Sequence, residues 1–343
     1  METVACPYHG WTWTRDGELI DAPDPDDFPQ GNPCGKVRLK ELQCDTWAGF
    51  VWYTMDPNAP PLLEYLDPMP TLYKNWDTDR LVRVTWLKVD LETNWKFASD
   101  NFSESYHTRV AHPQVPAFID QDYWTASHEM FPNGHGRIVQ PGRPSLRDQV
   151  PDGEPQPFDD VLRAWDIDPN AYPDYETKAI QGWKDLAEAK GRLWKEKGYL
   201  HYEHMTPTEL VDSPHNVIFP NVTISFLPDA MILFRTEPHA TDPNKCTFDL
   251  WVMSFPIQKV DNITRMGAYD DVVEVTECDH RVFDGGRGLK DMEGQIFFQD
   301  MMLAEGQQRG LRSQGYEDAY LAGQETRVRY FHEVLNDYIE GRR

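Results

Sequence analysis

The chain has 343 residues, a length that indicates two domains or one large one. Its net charge of −24 argues against nucleic-acid binding, because nucleic-acid phosphates require a basic surface. No apolar run is long enough for a membrane helix, and the N-terminus lacks a secretory pattern, so we expect a soluble, cytoplasmic protein. The five cysteines are scattered and odd in number, which favours free thiols or cluster ligands over a disulfide framework.

Residues 1–60 alternate short apolar runs with turn residues, a pattern typical of a β-rich segment. Within it we predict strands at 37–39, 44–47 and 50–53. A proline-rich connector over 57–80 predicts a domain boundary, and we divide the chain into domains at 1–62 and 63–343.

The second part opens with residues 81–89, whose period-two alternation predicts a half-buried strand. Residues 113–157 are predicted as loops with a strand or two, and 158–200 as helical. Short turns join the later strands, which indicates an antiparallel meander. Together with late helices, this predicts an α+β domain in which helices gather on one side of an antiparallel sheet. The predicted strands are 216–227, 230–237 and 246–255, and the late helices are 265–279, 291–311 and 326–339.

Residues 100–112 contain two histidines, His107 and His112, and two carboxylates. Histidine and carboxylate are the ligands of non-haem iron in two-histidine, one-carboxylate sites. Five residues turn an ideal helix through about 500°, which places the two rings roughly 140° apart. A straight helix therefore cannot aim both inward: either the helix ends or kinks after His107, or the two histidines are unrelated.

The N-terminal hexapeptide Cys6-Pro-Tyr-His9-Gly-Trp contains a second candidate ligand pair. Cys-x-x-His can offer a thiolate and an imidazole from one loop, as in Rieske clusters, although alone it also fits a buried cysteine beside a turn. With its flanking residues, this segment resembles the second cluster loop of Rieske-type aromatic ring-hydroxylating oxygenases, large (alpha) subunit. The run 11–19 that follows it also fits that family.

The family's first cluster loop, Cys-x-His, is expected about fifteen to twenty residues upstream, and the given residues contain none. Cys6 and His9 supply half of a [2Fe-2S] site. We therefore interpret the chain as an N-terminally truncated subunit, in which 1–62 is a partial Rieske domain and 63–343 is a helix-grip catalytic domain.

Asp300 is the candidate third metal ligand. It lies in an apolar stretch of a predicted helix, where a buried acid requires a partner or a metal, although Asp300 could also face solvent. The resemblance favours the metal, because Gln308-Arg-Gly-Leu follows Asp300 at the family's distance. By that resemblance, His107, His112 and Asp300 hold a mononuclear Fe(II). Glu104 is the bridging carboxylate, usually Asp, that links the iron to a neighbouring subunit's cluster, and Asn101 lies near the site.

The resemblance implies a terminal oxygenase that uses Fe(II) and O₂ to hydroxylate an organic substrate. We expect this substrate to be aromatic and the protein to act in aromatic hydrocarbon catabolism. Both cis-dihydroxylation and monooxygenation, including demethylation, fit the ligands. Without a nicotinamide or flavin signature, electrons must come from a ferredoxin or an NAD(P)H-dependent reductase. The implied assembly is a homotrimer or an α3β3 complex. The alternative is a non-catalytic hydrophobic-ligand-binding protein on the same fold, and an upstream in-frame Cys-x-His would distinguish the two.

Several further histidines and a glycine-rich turn are predicted to have no catalytic or binding role. We expect His201, His204, His215, His239 and His280 to be structural or exposed, and the glycine-rich turn 285–288 to lack a nucleotide-binding role. The pocket-wall candidates are Phe226, Leu227, Ile232, Phe234 and Phe297, each of which also fits the core.

Overall fold

A computed structural model describes residues 3–151, 156–258, 262–264, 272–284 and 296–343. The chain divides into two compact units, residues 1–65 and 66–343. Among the described residues, every helix is too short or too polar to cross a bilayer.

The first unit is built from two small antiparallel arrangements. One sheet orders its strands β1-β2-β3, and β4 pairs with β5 in a separate hairpin. Residues 37–39, predicted as a strand, form only an isolated bridge between Arg38 and Glu18, so that prediction is wrong. The elements of this unit are β1 (Thr3–Ala5), β2 (Thr12–Thr14), β3 (Leu19–Asp21), β4 (Gln43–Trp47), β5 (Phe50–Thr54) and α1 (Leu62–Tyr65).

The second unit is organised around an eight-stranded sheet with the order β15-β6-β12-β11-β10-β9-β8-β7. Its strands are β6 (Val82–Leu91), β7 (Ser127–Met130), β8 (Gly136–Gln140), β9 (Ser213–Ile218), β10 (Val222–Phe226), β11 (Ala230–Pro238), β12 (Cys246–Ser254) and β15 (Arg281–Asp284). All neighbours in it are antiparallel except β15, which runs parallel to β6. A separate two-stranded pair is formed by β13 (Asn262–Thr264) and β14 (Val272–Glu274).

The helices of the second unit are α2 (Met69–Leu72), α3 (Trp95–Asn101), α4 (Thr108–Ala111), α5 (Pro157–Ala164), α6 (Tyr175–Lys197), α7 (Ile296–Leu311) and α8 (Thr326–Ile339). Helices α3 and α7 contact each other, and α3 lies against β11 and β12. Apolar side chains of β6 and β12 pack against Ala98 of α3 and against Phe297 and Met301 of α7. This core anchors the two helices on one sheet face.

The opposite face of the sheet is covered by residues near α2. Tyr73 stacks on Phe226 with ring centroids 3.9 Å apart, and Trp76 Nε1 donates to the Leu227 carbonyl at 2.9 Å. Because alternate strand residues point to opposite faces, Phe226 faces away from its neighbour Ser225. The sheet is therefore covered on both faces. The sequence had predicted helices on one side only.

The α+β fold with an antiparallel-rich sheet is confirmed, as are the strand at β6 and the helices at α6 and α8. Two predictions over the later chain are wrong. Residues 216–227 form two strands separated by Phe219–Asn221, and the described end of the predicted helix 265–279 contains β14 instead. Residues 265–271, 285–288 and 291–295 lie outside the described residues.

Candidate metal centre

Helix α3 leads into the site and is fixed at its first residues. The Asn94 side chain accepts a hydrogen bond from the Lys96 backbone N–H at 2.9 Å, which caps the helix. Gln308, on α7, accepts from the Asn94 backbone N–H at 2.8 Å. Gln308 therefore ties the start of α3 to the helix that carries Asp300.

The helical segments around the two histidines are short and separate. Helix α3 ends at Asn101, earlier than the sequence indicated, and α4 begins after His107 and ends at Ala111. His112 lies beyond that end with φ −128° and ψ 66°, outside helical geometry. The helix breaks at Asn101 and at Ala111 rather than after His107, so the predicted position of the break is wrong, but the second break removes the angular obstacle to a shared site.

The structure brings His107, His112 and Asp300 together. One candidate ligand atom from each lies within 4.8 Å of the others. The Nε2 atoms of His107 and His112 lie 3.4 Å and 2.9 Å from Asp300 Oδ1. The imidazole rings are nearly perpendicular, at 82°, with centroids 5.2 Å apart. His112 and Asp300 are buried.

The outer nitrogens of both histidines face hydrogen-bond acceptors. His107 Nδ1 lies 2.5 Å from Glu104 Oε1, a carboxylate oxygen that can only accept, so Nδ1 carries the proton. His112 Nδ1 lies 2.7 Å from Gln299 Oε1, which also accepts from Gln114 Nε2 at 3.0 Å. On both rings Nε2 is thus the nitrogen that faces Asp300, and it can bind a metal ion there once metal binding displaces its proton.

The charges of the site are strongly coupled. Burial alone would lower the pKa of His107, but hydrogen bonds to Asp300 and Glu104 raise it to about 10. Burial would raise the pKa of Asp300, but its hydrogen bonds to His107 and His112 lower it to about 2. Asp300 is thus an ionised carboxylate, which is the state that a metal ligand requires. Two imidazoles and one buried carboxylate form a donor set that fits non-haem iron.

The remaining predicted site residues have varied surroundings. Asn101 is half-buried, and its Nδ2 has no hydrogen-bond partner among the described residues. Cys6 and His9 lie in the loop between β1 and β2, where Gly10 N–H donates to the Cys6 carbonyl at 3.0 Å. His9 is exposed and Cys6 is half-buried. Within the described residues, this pair forms no group of three with another histidine, cysteine or acid.

The other histidines mostly have structural surroundings, as expected. His201 is buried and lies 3.0 Å from Asp229, whereas His204 is exposed. His215 lies 2.5 Å from the Phe102 carbonyl oxygen, so it supports the turn that follows α3. Of the pocket-wall candidates, Phe226 and Leu227 contact Tyr73 and Trp76, which follow α2 on the opposite face of the sheet. Ile232, Phe234 and Phe297 belong to the core on the site face.

Sequence reasoning missed Gln299, His332 and Arg327. Gln299 directly precedes Asp300 in an apolar run, a position that could have marked it. His332 Nε2 lies 2.8 Å from Asp100 Oδ2, and Arg327 is buried. Both lie on α8, where a polar residue on an amphipathic helix is normally solvent-exposed, so the sequence carried no signal for them.

The fold and this constellation together define an α+β scaffold that carries a candidate metal site with an iron-type ligand set. Residues 78–341 match the family described as the ring hydroxylating alpha subunit (catalytic domain). The chain belongs to this family.

Two curated relatives are similar over part of their length. The N,N-dimethyl phenylurea N-demethylase subunit alpha of Sphingobium sp. (strain YBL2) is 31% identical over 152 residues, covering 39% of this chain and 32% of that protein. The carnitine monooxygenase oxygenase subunit of Escherichia coli (strain K12) is 30% identical over 147 residues, covering 42% and 39%. The similarity thus spans well under half of these relatives.

Solved structures share the fold at low sequence identity. A quaternary ammonium Rieske monooxygenase aligns with a TM-score of 0.61 at 18% identity, covering 98% of this chain and 73% of that chain. Naphthalene 1,2-dioxygenase from Rhodococcus sp., bound to indole, aligns with a TM-score of 0.57 at 18% identity, covering 98% and 75%.

Proposed function

We propose that this chain is the oxygenase component of a Rieske system, which uses Fe(II) and O₂ to hydroxylate an organic substrate. The observation that carries the proposal is the convergence of His107, His112 and Asp300 within 4.8 Å. It occurs in a chain that belongs to a ring-hydroxylating family. A purely hydrophobic-ligand-binding protein would have no use for an ionised aspartate buried between two imidazoles.

In this proposal, His107 and His112 would hold iron through Nε2, and Asp300 would hold it through a carboxylate oxygen. Iron held there would supply the activation of O₂. Glu104 and Gln299 hold the Nδ1 protons of the two histidines, which fixes the tautomer and the ring orientation. These hydrogen bonds orient both rings for metal binding before iron binds.

Aromatic side chains beside the site favour an apolar substrate. Phe102 stacks on Phe234 with ring centroids 4.4 Å apart and on Phe248 at 5.4 Å. Phe102 directly follows Asn101 and precedes the turn that holds Glu104. A flat, hydrophobic substrate group would pack against such rings.

Of the two outcomes that the ligands allow, the relatives favour monooxygenation. The two curated proteins that are 30–31% identical are named as an N-demethylase and a monooxygenase. A dioxygenase appears among the structural neighbours, at 18% identity. We therefore propose monooxygenation, including N-demethylation, with cis-dihydroxylation as the second candidate. Isotopic labelling distinguishes them: one ¹⁸O atom from ¹⁸O₂ enters the product in monooxygenation and two enter in dihydroxylation.

We further propose that Cys6 and His9 contribute one sulfur and one nitrogen ligand to a [2Fe-2S] cluster, within a Rieske domain covering 1–62. Electrons would arrive from a ferredoxin or an NAD(P)H-dependent reductase. Glu104 would carry the hydrogen-bonded link from His107 to the cluster of a neighbouring subunit in a homotrimer or an α3β3 assembly. The cytoplasmic location stays a prediction.

The proposal is tested by nitric oxide, which binds ferrous iron at open positions as O₂ does. Anaerobic protein loaded with Fe(II) should give the half-integer-spin EPR signal of an iron–nitrosyl complex. The signal should be absent in Asp300→Ala. It should be retained in the control His239→Ala, which changes an exposed histidine directly after β11. Wild-type protein that binds no iron, or an Asp300→Ala signal equal to wild type, would refute an iron oxygenase.

A further inference from the structure

Arg327 is a buried cation, and no carboxylate of the described residues forms an ion pair with it. It lies in the first turn of α8 and is 3% exposed. Its Nε, Nη1 and Nη2 atoms have no hydrogen-bond partner among the described residues. Burial lowers its pKa to about 9, while Tyr73 and Glu104 act in the opposite direction, so the guanidinium stays charged near neutral pH. Burying an unpaired charge is strongly unfavourable, which makes this residue costly unless something binds it.

The guanidinium lies on the side of the sheet that carries the candidate metal centre. A Cβ atom built on Gly136 would lie 3.5 Å from Arg327 Nε, so the side chain passes over β8 where a glycine leaves room. Ile138, two residues on, pairs with His215, whose imidazole contacts the Phe102 carbonyl. Burial and then the charge of Arg327 lower the pKa of His215. Arg327 is therefore close to the turn that bears Phe102 and Glu104.

Other polar atoms in this region also have unused hydrogen-bonding capacity. His128 lies on β7 beside β8, and its Nε2 is buried without a partner among the described residues. Burial, followed by the charge of Arg327, lowers the pKa of His128. Asn101 Nδ2 is unpartnered in the same way. Unsatisfied buried donors of this kind indicate a place where a ligand supplies the acceptors.

We propose that Arg327 binds a carboxylate group of the substrate, so that the oxygenase acts on carboxylated apolar molecules. The substrate role rests on the proposed oxygenase function. A guanidinium presents parallel N–H donors that match the two oxygens of a carboxylate. A single negative charge balances the single cation, whereas a phosphate dianion would leave excess charge buried. The rings of Phe102 and Phe234 would hold the apolar part of the same molecule.

The test uses benzoate as the probe and benzamide as its neutral isostere, with the full chain loaded with Fe(II). Calorimetry should show wild-type protein binding benzoate at least about tenfold more tightly than benzamide. Arg327→Met should lose at least about tenfold in benzoate affinity while its affinity for benzamide is unchanged. The benzoate affinity of Arg327→Lys should lie between those of wild type and Arg327→Met, because lysine keeps the charge but lacks the parallel N–H donors of the guanidinium.

Thermal unfolding without ligand separates this role from a structural one. Arg327→Met removes an unpaired buried cation and fills the space with an apolar chain, so its Tm should equal or exceed that of wild type. Three results would overturn the proposal: equal benzoate affinity in wild type and Arg327→Met, no preference of wild type for benzoate, or a lower ligand-free Tm with the benzoate preference intact.

Iron content measured on the same samples keeps this proposal distinct from the oxygenase proposal. Wild type and Arg327→Met should both hold iron. If neither holds iron but benzoate binding still depends on Arg327, the oxygenase proposal fails and the carboxylate site stands. If both hold iron and the benzoate affinity does not depend on Arg327, only the carboxylate-site proposal fails.

Discussion

Gln299 and His112 form a hydrogen bond of 2.7 Å between Gln299 Oε1 and His112 Nδ1, and this contact joins the helix that carries Asp300 to the segment that carries both histidines. Gln114 donates to the same oxygen at 3.0 Å, which identifies that atom as an acceptor. The proton of His112 is thereby held on Nδ1, and Nε2 is left for a metal ion.

Replacing Gln299 with Leu should weaken iron binding. The change removes the acceptor for His112 Nδ1, so the ring can rotate or change tautomer, and Fe(II) affinity should fall by about 10- to 100-fold. Competition with a ferrous chelator measures this affinity. Gln114→Leu is the matched control and should have a smaller effect, because Gln114 contacts Gln299 rather than the histidine. Unchanged affinity in Gln299→Leu would show that His112 is oriented by other groups.

Glu104 is expected to orient His107 through an oxygen atom rather than through its charge alone. Glu104→Gln keeps a carbonyl oxygen for His107 Nδ1 and should retain iron, whereas Glu104→Ala should lose about 10- to 100-fold in Fe(II) affinity. The same chelator competition compares the two. Equal affinities in Glu104→Gln and Glu104→Ala would contradict this account of the 2.5 Å contact.

The His332–Asp100 pair should make stability depend on pH. The hydrogen bond that His332 donates to Asp100 raises the pKa of His332 above 6.5, whereas burial and the charge of Lys96 act to lower it. Because the folded pKa is raised, the stabilisation is fully present below pH 6.5 and is lost as the pH rises through the folded value. The Tm difference between wild type and His332→Gln should therefore be largest below pH 6.5, as long as Asp100, whose own pKa is raised by burial, stays ionised, and it should shrink above pH 6.5.

Asp100→Asn serves as the control for this pH dependence. It keeps the size of the side chain and removes the charge that raises the pKa of His332. Replacing His332 with Gln in that background should leave a Tm difference that no longer varies with pH. A Tm difference that grows with rising pH in the wild-type background would reverse the predicted sign.

Gly142 should tolerate no side chain. A Cβ at this position would collide with the backbone carbonyl of Val211, which is not free to move like a side-chain tip. Gly142→Ala should therefore destabilise the fold by about 1–3 kcal/mol. Gly310→Ala is the matched control on α7. No described residue beyond the helix's own backbone lies within 4 Å of its Cβ position, and alanine should stabilise the helix by roughly 0.5–1 kcal/mol. Urea unfolding of both variants checks the opposite signs.

Local patterns predicted much of the framework. The helix predicted at 326–339 coincides with α8, and the period-two alternation over 81–89 predicted β6. The parallel pairing of β15 with β6 was not predicted, because four residues at a sheet edge depend on contacts with a strand nearly 200 residues earlier. The strand at β14, predicted as helix, shows the same dependence of short elements on tertiary pairing.

The candidate site was predictable in its residue types but not in its supporting contacts. Spacing alone left the role of the two histidines open, and it was the family resemblance, with Asp300 before Gln308, that selected the three side chains that the structure brings together. Arg327 could not be assigned, since its importance arises from its burial and from the strands that it faces. The first break of the helix, at Asn101, lacked a glycine or proline signal.

Iron stoichiometry of purified protein tests the central claim most directly. Fe(II)-loaded wild type, His107→Ala, Asp300→Ala and the exposed-histidine control His239→Ala would be measured after removal of unbound metal, with labile sulfide assayed in parallel to subtract cluster iron. The account predicts about one mononuclear iron per chain in wild type and in His239→Ala, and almost none in the other two variants. Mononuclear iron content that is unchanged in His107→Ala and Asp300→Ala would contradict it.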